Sequence, residues 1–200
     1  MNSISNIIRA SFPAAHRQEA ESISVVIAKH CEREREVFSG NEIKCQLNGE
    51  ALKFPYRFYC PEPKQFDSMD LVSVERAMLL CLYTRHHNGR VREKALQQII
   101  NSEFRFDFVI PFLIQLIAEY IVQILVIIEN NLHEDLLKRF AIFAVENPIY
   151  WEKTQARSVS YWNEYYRWNA MPRNEYKTLK KYPGFIIATK VNATIRRMTA

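Results

Sequence analysis

"FVIPFLIQLIAEYIVQILVII", residues 108–128, decides the fold. Its 21 residues could cross a bilayer as one helix or fill the centre of a helical bundle. Three polar residues separate the two readings. Gln115, Glu119 and Gln123 stand at i, i+4 and i+8 and so share one helical stripe. An ionised Glu at mid-bilayer costs roughly a few kcal/mol on insertion scales. The stretch therefore predicts the central helix of a soluble bundle, within a helix over 107–129, and no membrane span.

A carboxylate on a buried helix needs a partner or a proton. Arg85, Arg92, His86 and His87 on the preceding helix hairpin are the candidate partners. The expected arrangement is a polar network of Gln115, Glu119, Gln123, Arg85 and Arg92 that fixes helix register. The chemical alternative is an acid–base site in which Glu119 works with His86 or His87, and Gln115, Gln123 and Tyr120 add ligand contacts.

The histidines belong to "YTRHHNGRVREKALQQII", residues 83–100. Arg85, His86 and His87 precede Asn88-Gly89, where basic side chains suit the negative end of a helix dipole. The stretch predicts a helix stop and restart. Adjacent histidines on a helix point about 100° apart and do not readily share a metal. No H-E-x-x-H occurs, since His133-Glu134 is followed by Asp-Leu-Leu. Neither a metal nor a cofactor is expected.

Glycine spacing excludes further chemistries. Gly40, Gly49, Gly89 and Gly184 are far apart, so no P-loop, dinucleotide fingerprint or G-x-S-x-G can be written. Cys31, Cys45, Cys60 and Cys81 form no C-x-x-C pair. No basic start followed by an apolar core marks a secretory signal. Reduced cysteines in a cytoplasmic protein are the simplest expectation.

Outside the central stretch, the pattern is mostly helical. Residues 14–38 predict a helix closed by Ser39-Gly40-Asn41. Asn48-Gly49, between two strand-favouring runs, predicts a β-hairpin near residues 42–59, with Pro55 at an edge or bend. Asp67 or Ser68 can cap the next helix. Asn131 and Glu134 have capping-box spacing, and Asn147-Pro148 reads as N-cap and N1. On a helical wheel of 148–168, Tyr150, Trp151, Val159, Tyr161, Trp162, Tyr165, Tyr166 and Trp168 share one half, which predicts a mainly core-facing aromatic side. Ile187, Val191, Ile195 and Met198 fit a last amphipathic helix, with a strand as the alternative for 185–191.

Charge is uneven. Residues 151–200 hold ten Lys/Arg and three Glu, whereas the first 150 residues sum to −2. Arg157, Arg167, Arg173, Lys177, Lys180, Lys181, Arg196 and Arg197 are the candidate contacts for an anion or nucleic acid.

The expected fold is mainly α: antiparallel helix hairpins stacked as a bundle or short repeat-like array, plus the small hairpin. One domain is expected over 1–200. It comprises an N-terminal helix and hairpin (1–66), a helical core (67–168) and a basic C-terminal extension (169–200). "NGRVREKALQQII" resembles the second helix of a HEAT-type unit, where V-R-x-x-A-L lines the inner row. That resemblance covers 13 residues and implies a stacked helical scaffold with an interaction surface. The leading functional expectation is a non-catalytic interaction protein that binds a protein partner or itself. Nucleic-acid binding through the basic, aromatic C-terminal quarter is the second. An enzyme built on Glu119 with His86 or His87 is the third.

Overall fold

The computed structural model describes residues 4–31, 37–62, 72–101, 106–168 and 175–200. The expected caps Asp67 and Ser68, and the basic Arg173, lie outside them. The chain is mainly helical with one two-stranded antiparallel hairpin, as the sequence predicts. It divides into two compact units, Met1–Val109 and Ile110–Ala200. Among the described residues, no helix is long and apolar enough to cross a membrane.

In the first unit, α1 (Ile4–Ser11) and α2 (Arg17–His30) pack together, joined by a 3₁₀ turn at Ala14–His16. α2 buries Ala20, Ile23, Ser24 and Ile27, a regular helical stripe. The sequence predicts this helix to run to residue 38, but it ends at His30. The sulfur of Cys31 is bonded to that of Cys60, with their Cα atoms 5.4 Å apart. This corrects the expectation of four reduced cysteines; Cys45 and Cys81 form no disulfide, and both are buried. Burial raises the Cys81 thiol pKa well above its usual value.

β1 (Glu42–Leu47) and β2 (Glu50–Pro55) pair in register, Cys45 opposite Leu52. Asn48 and Gly49 take φ of 52° and 81°, the positive values of a type I′ turn. Pro55 pairs only at the open end, where its missing N–H costs the ladder least. The chain then continues as a strap. Phe58 pairs antiparallel with Phe38 and parallel with His86. Beyond it, α3 (Ser73–Tyr83) is buried on every side from Ala77 to Tyr83, and it packs on α4 (Gly89–Asn101).

The second unit opens with the decisive stretch, which is not one helix. α5 (Ile110–Ile117) and α6 (Val122–Asn130) are separated at Ala118–Ile121. All eight residues of α5 are buried, as a helix apolar all round requires. The stripe of Gln115, Glu119 and Gln123 therefore does not exist as one face. Gln115 is buried on α5, Glu119 is buried in the break, and Gln123 is exposed on α6.

A side chain closes the break. The Tyr166 hydroxyl donates to Tyr120 O at 2.6 Å and accepts from Val122 N–H at 3.2 Å. It thus takes up two backbone groups that helix interruption leaves open. Of two further caps, one differs from the sequence reading and one agrees with it. His133 Nδ1, not Asn131, accepts from Leu136 N–H at the start of α7 (Glu134–Glu146). Asn147 is the N-cap of α8 (Pro148–Tyr165) with Pro148 at its start, as the sequence predicts, while its side chain donates from Nδ2 back to Phe143 O at the end of α7.

α9 (Pro183–Thr199) is helical throughout, which settles 185–191, and it packs against α6, α7 and α8. The basic quarter of the chain thus supplies a buried helix face: Gly184, Ile187, Ala188, Val191 and Thr194, with Met198 exposed. Gly184 permits a close crossing with α8. A Cβ there would meet Ser158 Oγ and the Tyr182 ring. Further along, Trp151 Nε1 donates to Asn192 Oδ1, and Asn192 Nδ2 donates to Gln155 Oε1, both at 2.8 Å.

Candidate functional site

Arg85, His86, His87 and Arg92 belong to the first unit; Gln115, Glu119 and Gln123 belong to the second. Around the histidines, the α3–α4 corner is tied to the strap. His86 Nδ1 accepts from Asn88 N–H at 3.0 Å, so Nε2 carries the proton and donates to Cys60 O at 2.9 Å. Burial holds the His86 pKa below its usual value, against the raising effect of the Cys60 carbonyl. The His87 ring is exposed and stacks on Tyr59, centroids 5.4 Å apart.

The arginines serve the same corner. Arg92 Nη1 donates to His86 O and His87 O at 2.7 and 3.0 Å. Arg85 Nη2 donates to Tyr56 O at 3.1 Å. Tyr83 OH donates to Pro61 O at 2.8 Å, and its pKa is raised by burial. Asn88 restarts the chain: its backbone oxygen accepts from Val91 and Arg92, and its Oδ1 accepts from Arg90 N–H. The expected stop and restart is present, but its closure differs. Arg92 reaches back to the corner carbonyls, and His86 faces the strap.

In the second unit, Gln115 Oε1 accepts from Tyr150 OH at 2.7 Å. Glu119 is 2% exposed, and its backbone N–H donates to Leu116 O. Among the described residues, no group of three or more His, Cys, Asp or Glu is placed to hold a metal.

The aromatic side of α8 divides in two. Its buried stripe is Trp151, Thr154, Ser158 and Trp162, narrower than the wheel predicts because α9 comes close at Ser158. Trp162 Nε1 donates to Tyr176 O, and its ring joins Leu125 and Tyr182 in a small core. The rest faces out. Tyr161 and Tyr165, one turn apart, meet Tyr120 from the α5–α6 break, with ring centroids 5.3–6.0 Å apart in all three pairs. Tyr120 is 42% exposed, Tyr165 47% and Trp168 74%. The Arg167 guanidinium lies over the rings of both Trp162 and Trp168. The i, i+4 spacing of Tyr161 and Tyr165 was visible in the sequence. Their meeting with Tyr120 was not, because it depends on the helix break.

The described basic residues are spread over several elements. Arg157 and Arg167 stand on or just after α8, and Lys177, Lys180 and Lys181 stand before α9. Arg196 and Arg197 sit at the far end of α9, roughly 20 Å along its axis from Lys181. Compared with family models, with curated proteins and with solved structures, the chain gave no match.

Proposed function

We propose that this protein is a non-catalytic binding module whose second unit offers an aromatic surface to a protein partner. The observation that supports this is the cluster of Tyr120, Tyr161 and Tyr165, beside Trp168 and Arg167 in the chain. Tyr, Trp and Arg dominate the energetics of protein interfaces, where they supply large contact areas with few rotatable bonds. Ile142, Val145 and Ile149, exposed near the α7–α8 corner, add apolar area to the same unit. Nucleic acid is the less favoured partner, because stacking aromatics bind single strands best beside a continuous basic groove. An acid–base role for His86 fits less well, since both its ring nitrogens are already engaged.

The test is a photo-crosslinking amino acid at Glu164, which is exposed and adjacent to Tyr165. It is introduced into the full chain in its own cells. A discrete protein adduct that Tyr120→Ser with Tyr165→Ser abolishes, at unchanged thermal stability, supports the reading. An adduct of twice the chain mass identifies a second copy as the partner. An adduct removed by nuclease replaces this reading with the nucleic-acid one. An adduct indifferent to both substitutions, or none at all, overturns it.

The compartment is tested separately. A cytoplasmic location requires the Cys31–Cys60 bond to persist in a reducing thiol pool, where disulfides are uncommon. Burial of both sulfurs protects the bond once formed. Thiol trapping in intact cells decides the matter: two labelled cysteines per denatured chain indicate the bonded form, and four the reduced one.

A further inference from the structure

Where the hairpin tip meets the 3₁₀ turn at Ala14–His16, the first unit holds a cavity of ≈ 270 Å³. Leu47, Phe106 and Phe108 form apolar walls, and the two phenylalanine rings stack 5.2 Å apart and 9° from parallel. The His16 ring stands edge-on to both, with centroids at 6.1 and 5.3 Å. Glu50 and Asp107 also line the cavity, and no Lys or Arg does so among the described residues.

The walls are held from outside. The positive φ angles at Asn48 and Gly49 fix the hairpin tip. Glu50 Oε1 accepts from Ala14 N–H at 2.7 Å, which ties that tip to the turn. Phe108 is buried and packs edge-to-face on Phe12, with centroids 5.4 Å apart. The walls of the concavity are thus braced by contacts within the first unit, and preorganisation of this kind lowers the cost of binding.

Aromatic faces carry negative partial charge, and two carboxylates add to it. An anion entering the cavity would meet repulsion from both acids. A cation would gain from the ring faces and from charge-assisted hydrogen bonds together. We propose that this cavity is a binding site for a small organic cation, an ammonium or guanidinium group carried on a short apolar chain. The site lies wholly in the first unit and is independent of the tyrosine surface.

The probe is agmatine, titrated into the ¹⁵N-labelled full chain, with hexanoate as the anionic control. Agmatine shifts the amides of His16, Asn48, Gly49 and Glu50 saturably, and hexanoate leaves them in place. Glu50→Gln keeps an oxygen for the Ala14 N–H, so the tip stays closed while the charge is lost. That change and Asp107→Asn each weaken agmatine about tenfold, as loss of one charge-assisted contact predicts. Phe106→Leu, which preserves apolar volume but removes a ring face, also weakens it. The proposal is overturned if agmatine does not saturate, if hexanoate competes equally well, or if both carboxamide variants bind as the parent does.

Discussion

The chain turns between buried helices in two places that look alike in outline and differ in how they are closed. At the α3–α4 corner, five residues, Thr84–Asn88, join the helices; at the α5–α6 break, four residues do so, Ala118–Ile121. The corner restarts locally, with Asn88 accepting from backbone amides two to four residues ahead. The break contains no Gly, Pro or Asn. Its open backbone groups are taken by a hydroxyl 44 to 46 residues away. A helix interruption closed by its own neighbours leaves a signature in the sequence. One closed from a distance leaves the hydrophobic pattern of a continuous helix.

The largest expected effect tests what the corner owes to the strap. Closing a loop with a sequence separation of 29 stabilises by about 3–4 kcal/mol in the chain-entropy account. Cys31→Ser with Cys60→Ser is expected to lower the first unit's stability by that amount. Urea unfolding, followed by residue-resolved hydrogen exchange, measures it. Fast exchange at the Phe58 and His87 amides, which pair the strap to the corner, is the local signature. If those amides remain protected, the corner is as self-sufficient as its sequence suggests.

The next effect addresses the break. Tyr166→Phe removes the hydroxyl bridge and is expected to cost about 1–2 kcal/mol, the lower range because water can reach Tyr120 O. The Val122 amide is expected to exchange faster. Tyr182 offers the opposite control. Its ring lies 5.4 Å from that of Tyr166, but its buried hydroxyl has no hydrogen-bond partner among the described residues. Tyr182→Phe therefore leaves stability unchanged or raises it by up to about 1 kcal/mol. Equal losses from both changes would show that aromatic packing, not the bridge, holds the break.

The smallest effect returns to the corner and concerns pH. Burial keeps the His86 pKa below 6.5 in the folded chain, whereas the unfolded chain titrates near 6.5. As pH falls, the unfolded state takes up the proton first. The contribution of His86 is therefore whole above 6.5, declines as pH drops from there to the folded value, and is flat below it. Unfolding midpoints of the parent minus those of His86→Gln, taken from pH 8 to 5, are expected to show that decline. A constant difference would mean that His86 is not held neutral by its surroundings.

What the sequence disclosed follows the same division. The hairpin was legible because Asn48-Gly49 specifies positive φ on the spot, and both residues adopt it. The mainly helical character was legible from periodicity, as in the buried stripe of α2 and the Ile187–Val191 face of α9. The end of α2 was placed at residue 38, whereas the helix stops at His30, next to a cysteine bonded to a sulfur 29 positions along the chain. Asn131 was named as a cap on spacing alone, and the imidazole two residues later reaches the amide instead. At the tyrosine surface, the sequence put Tyr161 and Tyr165 on a mainly core-facing side, whereas Tyr161 is half-buried and Tyr165 exposed. Tyr120 turns outward only because the predicted helix is broken beneath it.

α5 buries all eight of its positions, and the helices it meets within its own unit, α6, α7 and α8, are all made after it. During translation this short oily segment leaves the ribosome before any of them, and Tyr165 follows only after about 2–10 s at ordinary elongation rates. Chains halted in that interval display an adhesive stretch with its shelter unbuilt. Newborn copies are therefore expected to be clients for holdase chaperones, and fragments ending between residues 117 and 165 are expected to express poorly.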